Sequence, residues 1–304
     1  MIKRWQIQDG RVQETQAETA PILLFVNPTD EEKRYLVDIL KVDEHTLNSA
    51  LDPDEVARLE FEPEHMAMIL KVPRNYSGAE QFLFRISSMG IFLFKETLVI
   101  VRQEDVPLFG DKYFSKLSGI KDVVLKLIYR SIYHFNEHLK IINMISDSLE
   151  SKINASMQNK YLINLFSLEK SLVYFLNAIN ANAWVIEKLK NSAPKAAFSP
   201  EHIEYLEDLI IENHQCYRQA EIYSNILASL MDARVSIVSN NLNVLMKTLN
   251  LITIGIMVPT LVVSAFSMNV SIPLQKHPSA FWIIMFMAAL GVGVVLAVWR
   301  WKRW

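Results

Sequence analysis

From Asp232 onward, steps of three and four residues pick out Asp232, Ser236, Ser239, Asn243, Met246, Asn250, Thr253, Met257, Thr260, Ser264 and Ser267. Every member of this row is polar or methionine. A spacing near 3.5 residues keeps the row on one face of a helix. Inside a membrane, a face of hydroxyl, amide and thioether groups has two uses. It can pack closely against another helix, as small hydroxyl residues allow, or it can line a water-filled path and offer oxygens to an ion. One polar helix per chain cannot enclose a channel, so the second use requires several copies of the chain around an axis. The row has no acid beyond Asp232. It therefore suits an ion that keeps most of its water, as a small divalent cation such as magnesium does.

The element that carries the row is a helix of unusual length. Ser199-Pro200 is a strong helix start, with Ser199 as N-cap and Pro200 at the first helical position. From Glu201 to Phe266 the only glycine and proline are Gly255 and Pro259. One helix on the order of 65 residues would run ~100 Å at 1.5 Å per residue, too long for a globular core. Its last part, residues 249–268, carries no charge, and neither do residues 280–299. Each segment matches the ~20 residues needed to cross a hydrocarbon layer, with Trp282 and Trp299 placed as interfacial anchors. Lys247 precedes the first segment, and Arg300, Lys302 and Arg303 follow the second, while the linker 269–279 offers only Lys276. This bias puts both ends of the hairpin on the cytoplasmic side. The C-terminal carbonyl end of the first span then lies at the external mouth, where its dipole favours a cation.

Upstream the character is different. Short apolar runs at residues 22–26, 66–72, 82–86, 91–94 and 98–101 read as strands. Helical spacing at 30–40 and 43–51, with Thr29 and Asp43 as N-caps, makes this part a mixed α+β domain with one face of its sheet covered by helices. After Phe109-Gly110-Asp111, residues 120–191 show threes-and-fours spacing with a break only near 154–159, and 192–200 is a connector. The expected organisation is a cytoplasmic domain at 1–118, a helical stalk at 119–247 and a membrane region at 248–304.

Composition removes other function classes. The 304 residues carry a net charge of −2, so no overall field draws the chain to nucleic acid. The single cysteine, Cys216, reads as a packed thiol. The start, MIKRWQIQDG, lacks the apolar core of a signal peptide, so the N-terminus is expected to stay in the cytoplasm. There is no phosphate-binding glycine loop, nucleophile elbow or paired catalytic carboxylates, hence no candidate for an enzyme and no cofactor. His202 with Glu201, Glu204 and Glu207 reads as a solvated helix face rather than a metal site. Asp147, Glu150 and Lys152 read as charged stalk surface, whose acids could alternatively bind cytoplasmic cations.

The end of the first span reads Ala265-Phe266-Ser267-Met268-Asn269, followed by a short loop, a second span and a basic tail. This resembles the CorA family of divalent-cation transport proteins, whose Gly-Met-Asn signature stands between two C-terminal spans. The likeness continues upstream through Met231-Asp232, Ser239-Asn240, Asn243, Met246-Lys247, Leu249, Met257, Pro259 and Thr260. It implies a homopentameric funnel in the inner (plasma) membrane and passive uptake of magnesium, with cobalt or nickel as surrogates. By the same resemblance Asn269 forms the entrance ring that greets the hydrated ion. Asn243, Met246, Leu249, Met257 and Thr260 line the pore, with Met246 and Leu249 as an apolar gate. Asp208 is similar to the stalk acid of an intersubunit regulatory magnesium site. The partners implied are the bilayer, divalent cations and further copies of the chain.

Two features depart from the family pattern. Ser267 stands where the signature has glycine, and the loop after Asn269 has no acid where many relatives carry glutamate. Two other functions stay open on that account: transport of another divalent metal such as zinc, and a non-conducting membrane sensor or scaffold.

Overall fold

The computed structural model describes residues 1–17, 19–76, 82–109, 114–155, 159–270, 273 and 277–302. The expectations that fall on residues 110–111 and 156–158, on Lys276 and on Arg303 lie outside them. The chain forms two units, Met1–Met231 and Asp232–Trp304.

The first unit is built on a seven-stranded sheet in the order β2-β1-β3-β7-β6-β5-β4. The strands are β1 (Ile2–Gln8), β2 (Arg11–Glu14), β3 (Ile22–Val26), β4 (Arg58–Phe61), β5 (Met66–Pro73), β6 (Ile86–Leu93) and β7 (Leu98–Arg102). Only β3 and β7 run parallel. Asp9 and Gly10 both have positive φ, 51° and 68°, which makes the β1–β2 connection a two-residue hairpin of the Asp-Gly kind. Two strand expectations need correction. Residues 82–85 lie outside any strand, and 91–94 is not a strand of its own, because β6 is one continuous element from Ile86 to Leu93.

Two short helices follow β3. Thr29 closes a capping box on α1 (Asp30–Arg34), accepting from the Glu32 N–H while Glu32 accepts from the Thr29 N–H. The helix widens into a π-helical segment at Tyr35–Ile39 and stops at Lys41, whose φ of 57° is left-handed. Asp43 caps α2 (Glu44–Leu51) by accepting from the Thr46 N–H at 2.8 Å.

Both faces of the sheet are covered, not one. Leu23, Phe25, Ala67, Ile69, Phe92, Val99 and Val101 pack with Leu36, Leu47 and Ala50 from the short helices. The alternate residues, among them Leu24, Met68, Leu70, Ile91 and Ile100, pack with long helices α3 (Ile120–Ala155) and α4 (Asn159–Asn191) and with the first part of α5 (Pro200–Phe266). β3, β5 and β7 are therefore buried throughout, with no apolar–polar alternation. At Gly90 the α2 helix comes so close that a Cβ would lie 2.5 Å from the Ala50 Cβ. Cys216 is a fully buried thiol in this core, pushed up to about 12 by burial and by Glu212.

His202 is a correction too. It is half-buried, and its Nε2 lies 2.8 Å from Asp122 Oδ1. Asp122 accepts in turn from the Ser118 and Gly119 N–H groups at the start of α3. Burial alone would raise the Asp122 carboxyl, but those N–H groups and His202 hold it below the usual range. Asp147, Glu150 and Lys152 are exposed, as expected of a charged surface.

The second unit holds the rest of α5 and α6 (Ala280–Lys302).

Candidate ion-conduction face and family membership

Among the described residues, three helices are long and apolar enough to cross a membrane: Lys160–Asn191, Pro200–Phe266 and Ala280–Trp301. They differ in what surrounds them. α4 buries Leu165, Leu168, Leu172, Phe175 and Ile179 in the core of the first unit. By contrast, the apolar windows of α5 and α6 are 0% and 6% buried, with Leu261 at 70% and Trp282 at 73% exposure. Apolar surface on that scale requires lipid or further protein to cover it.

The contact between α5 and α6 is made by small residues. Ala288 of α6 is 5% exposed, and a Cβ on Gly291 would lie 2.8 Å from Val258 Cγ1. On α5 the less exposed row is Leu251, Gly255, Val258, Val262 and Phe266. At about 100° per residue this row is centred roughly 150° around the helix from the polar row. Asn243, Met246, Leu249, Asn250, Thr253, Met257, Thr260, Ser264 and Ser267 are all exposed, as is Asp232. The structure thus leaves the polar row clear of the chain's own second apolar helix. The exceptions are Asn250 and Thr253, which border a groove shared with Val294, Val298 and Trp299.

Four hydroxyls of the row, those of Ser236, Thr253, Thr260 and Ser267, donate to carbonyls of their own helix turn. Thr253 Oγ1 donates to the Leu249 carbonyl at 2.9 Å, Thr260 Oγ1 to Ile256 at 2.7 Å and Ser236 Oγ to Asp232 at 3.2 Å. With the donor engaged, each hydroxyl presents acceptor lone pairs outward. A cation, or the hydrogens of water, can use such acceptors. Ser267 follows the same habit, donating to the Ser264 carbonyl at 3.0 Å while its N–H tightens the last turn onto the same oxygen. The helix ends at Phe266, so Ser267, Met268 and Asn269 lie just past it, all exposed. Of the loop that follows, residues 271–272 and 274–276 are outside the described residues.

Asp208 is exposed on α5, three residues after Tyr205, whose phenol is pushed up to about 12 by burial, Asp208 and Glu212. Among the described residues no group of three His, Cys, Asp or Glu side chains could hold a metal ion. Asp208 is thus not part of such a group among the described residues.

A mixed sheet covered on both faces, a 67-residue helix and two bare apolar segments with an oxygen-presenting row define an integral membrane protein with a large α/β domain. The chain belongs to the family described as CorA-like Mg2+ transporter protein, which matches residues 22–303. This is a family of ion transporters rather than enzymes. Over 290 residues the chain is 26% identical to the "Cobalt/magnesium transport protein CorA" of Methanocaldococcus jannaschii, covering 91% of this chain and 89% of that one. The complete structure of the CorA magnesium transporter from that organism matches with a TM-score of 0.79 at 22% identity, covering 98% and 96% of the two chains. The full-length CmaX protein matches with a TM-score of 0.72 at 17% identity over 100% and 98%. The fold expected from the sequence, an α/β domain followed by long helices and C-terminal apolar helices, is the fold of these structures.

Proposed function

We propose that this protein is a magnesium channel of the CorA kind, a homopentamer that lets the ion enter the cell passively, with cobalt or nickel as surrogates. The observation that carries the reading is the exposed polar row on the face of α5 turned away from α6. Five copies of that row around an axis would enclose a path lined by Asn243, Met246, Leu249, Asn250, Thr253, Met257, Thr260 and Ser264. Ser267, Met268 and Asn269 would form its outer entrance. The path offers neutral oxygens and thioethers, so it selects an ion that travels with its water rather than one stripped bare. The name of the M. jannaschii relative supports magnesium and cobalt as cargo.

The reading includes a topology: residues 249–268 and 280–299 cross the inner membrane, and 1–118, the stalk 119–247 and both termini stay in the cytoplasm. The burial of α4 in the first unit's core supports two spans rather than three. It also includes regulation, in which intracellular magnesium bound at Asp208 between subunits holds the pore shut at Met246 and Leu249.

Magnesium flux into proteoliposomes loaded with a fluorescent indicator tests it. Wild type is expected to conduct, Asn269→Ala to lose flux, and Ser267→Gly to gain it. Absence of magnesium flux in all three would refute the reading. Competition by zinc in the same vesicles decides whether the serine in the signature has shifted the cargo to another divalent metal. Flux abolished by Asn269→Ala excludes a non-conducting sensor or scaffold.

A further inference from the structure

The first unit has a cavity of about 640 Å3 between the end of β7 and helix α3, remote from the polar row in sequence. Its lining combines Arg102, Arg130 and His134 with apolar walls that include Val72, Leu108 and Leu127. Arg102 is 7% exposed. One of its terminal nitrogens donates to the Val106 carbonyl at 3.4 Å, a long and weak bond, and its Nε has no hydrogen-bond partner among the described residues. The acids nearest in sequence are engaged elsewhere: Glu104 with Arg74, and Asp105 with Lys3. Both acids still attract the Arg102 guanidinium from a distance, yet burial lowers its proton affinity more than they raise it, and a buried guanidinium with an idle N–H is costly to maintain. An anion arriving in the cavity would remove that cost.

Arg130 enters from α3 and donates to the Pro107 carbonyl at 3.0 Å, which fixes a second guanidinium on the same wall. Glu137, the acid in the lining, is exposed. His134 is pushed down to about 3, first by burial and then by His138, Arg130 and Arg102, so it stands neutral in a field of positive charge. Planar guanidinium forks match the oxygens of a phosphate group better than any ammonium does. The volume lies within the range of small-molecule sites and exceeds what a bare phosphate fills, and its apolar walls suit a ring.

We propose that this cavity binds a phosphate-bearing organic anion of the nucleoside monophosphate class, its phosphate on Arg102 and Arg130 and its ring against Val72, Leu108 and Leu127. The site is independent of the conduction reading. The test is calorimetric titration of the full chain in detergent with AMP and with inorganic phosphate, in magnesium-free buffer so that no transported ion contributes. AMP is expected to bind saturably and at least tenfold more tightly than phosphate. Arg102→Gln and Arg130→Gln should each weaken AMP at least tenfold, while Lys140→Gln, an exposed cation on the same helix, should leave it unchanged. A thermal melt of each variant establishes folding, and if Arg102→Gln does not fold, Arg130→Gln decides. No saturable binding to folded wild type at millimolar ligand overturns the site, as does AMP binding that survives substitution in folded protein. AMP binding no tighter than phosphate overturns the ligand class.

Discussion

Asn182 of α4 is expected to be one of the most sensitive positions in the first unit. β4 is only four residues long and its last pair with β5 is Arg58 with Ile69, so the Lys71 N–H and C=O extend beyond the end of that neighbour. Asn182 takes the missing strand's place. Its Oδ1 accepts from the Lys71 N–H at 2.8 Å and its Nδ2 donates to the Lys71 carbonyl at 2.7 Å, both in buried surroundings. Ser131 Oγ also donates to that carbonyl, at 3.0 Å. In Asn182→Ala two hydrogen bonds are lost. The carbonyl keeps Ser131, but the N–H is orphaned in a site that water does not reach. A lost bond costs about 1 kcal/mol and an orphaned donor about 1–3 kcal/mol, so the sum is roughly 2–4 kcal/mol. For a unit spanning residues 1–231 that corresponds to a fall in melting temperature of roughly 6–12 °C. Ser131→Ala leaves Asn182 in place on both groups and should cost only about 1 kcal/mol. Thermal unfolding of the detergent-solubilised chain, followed by tryptophan fluorescence, compares the two. If Asn182→Ala melts no lower than Ser131→Ala, the side chain is not acting as a substitute strand and the reasoning fails.

The remaining predictions concern close approach and acid. Gly90→Ala should destabilise the first unit by about 1–3 kcal/mol, because its Cβ would meet the Ala50 Cβ at 2.5 Å; Ala50→Gly in the same chain should restore part of the loss, measured by urea unfolding. Gly291→Ala should loosen the hairpin through its clash with Val258 Cγ1, lowering the melting temperature in detergent, with recovery in the Val258→Ala double variant. His134 has an ordinary value of 6.5 and a folded value of about 3, so below pH 6.5 the unfolded chain takes up a proton that the folded chain refuses. His138 is depressed in the same direction, chiefly by burial. Stability should therefore fall as pH drops from about 6.5 toward about 3, and His134→Gln should flatten that dependence in melts recorded across the range. A slope unchanged in the variant would place the acid sensitivity elsewhere.

Much of the fold can be read from residue spacing where a signal is local. Thr29 with Glu32, Asp43 with Thr46, and Ser199 before Pro200 mark helix starts by chemistry contained in three or four residues, and the structure places helices at all three. Asp9-Gly10 is an equally local hairpin signal, but the residues directly beside it, Gln8 and Arg11, are polar and exposed, which weakens the strand pattern on either side. The double covering of the sheet is another matter. MAMILKVP in β5 is buried at every position, so its pattern does not say which side meets helices, and the second cover comes from α3 and α4, far downstream. His202 likewise looks like one more polar residue among glutamates until Asp122, eighty residues earlier, is set against it.

For the conduction face, spacing revealed the row but not what the row faces. α6 is apolar all round, so its sequence hides which side meets α5; that side is set by Ala288 and Gly291, the small residues that permit contact at Val258. Because that contact occupies the far side of α5, the hairpin resolves the packing of one face and leaves the other, with its amides and outward lone pairs, without a protein neighbour over most of its length. A hydrocarbon environment does not tolerate such a face uncovered. The Thr253 and Thr260 hydroxyls have already met their own donor needs within the helix, so what remains to be satisfied is acceptor capacity. Acceptors along an uncovered membrane helix call for hydrogens from water, for a cation or for a partner helix, and in the proposed channel further copies of α5 would keep lipid out. The side of α5 that the small residues of α6 occupy is therefore what leaves the polar face available to the assembly proposed above.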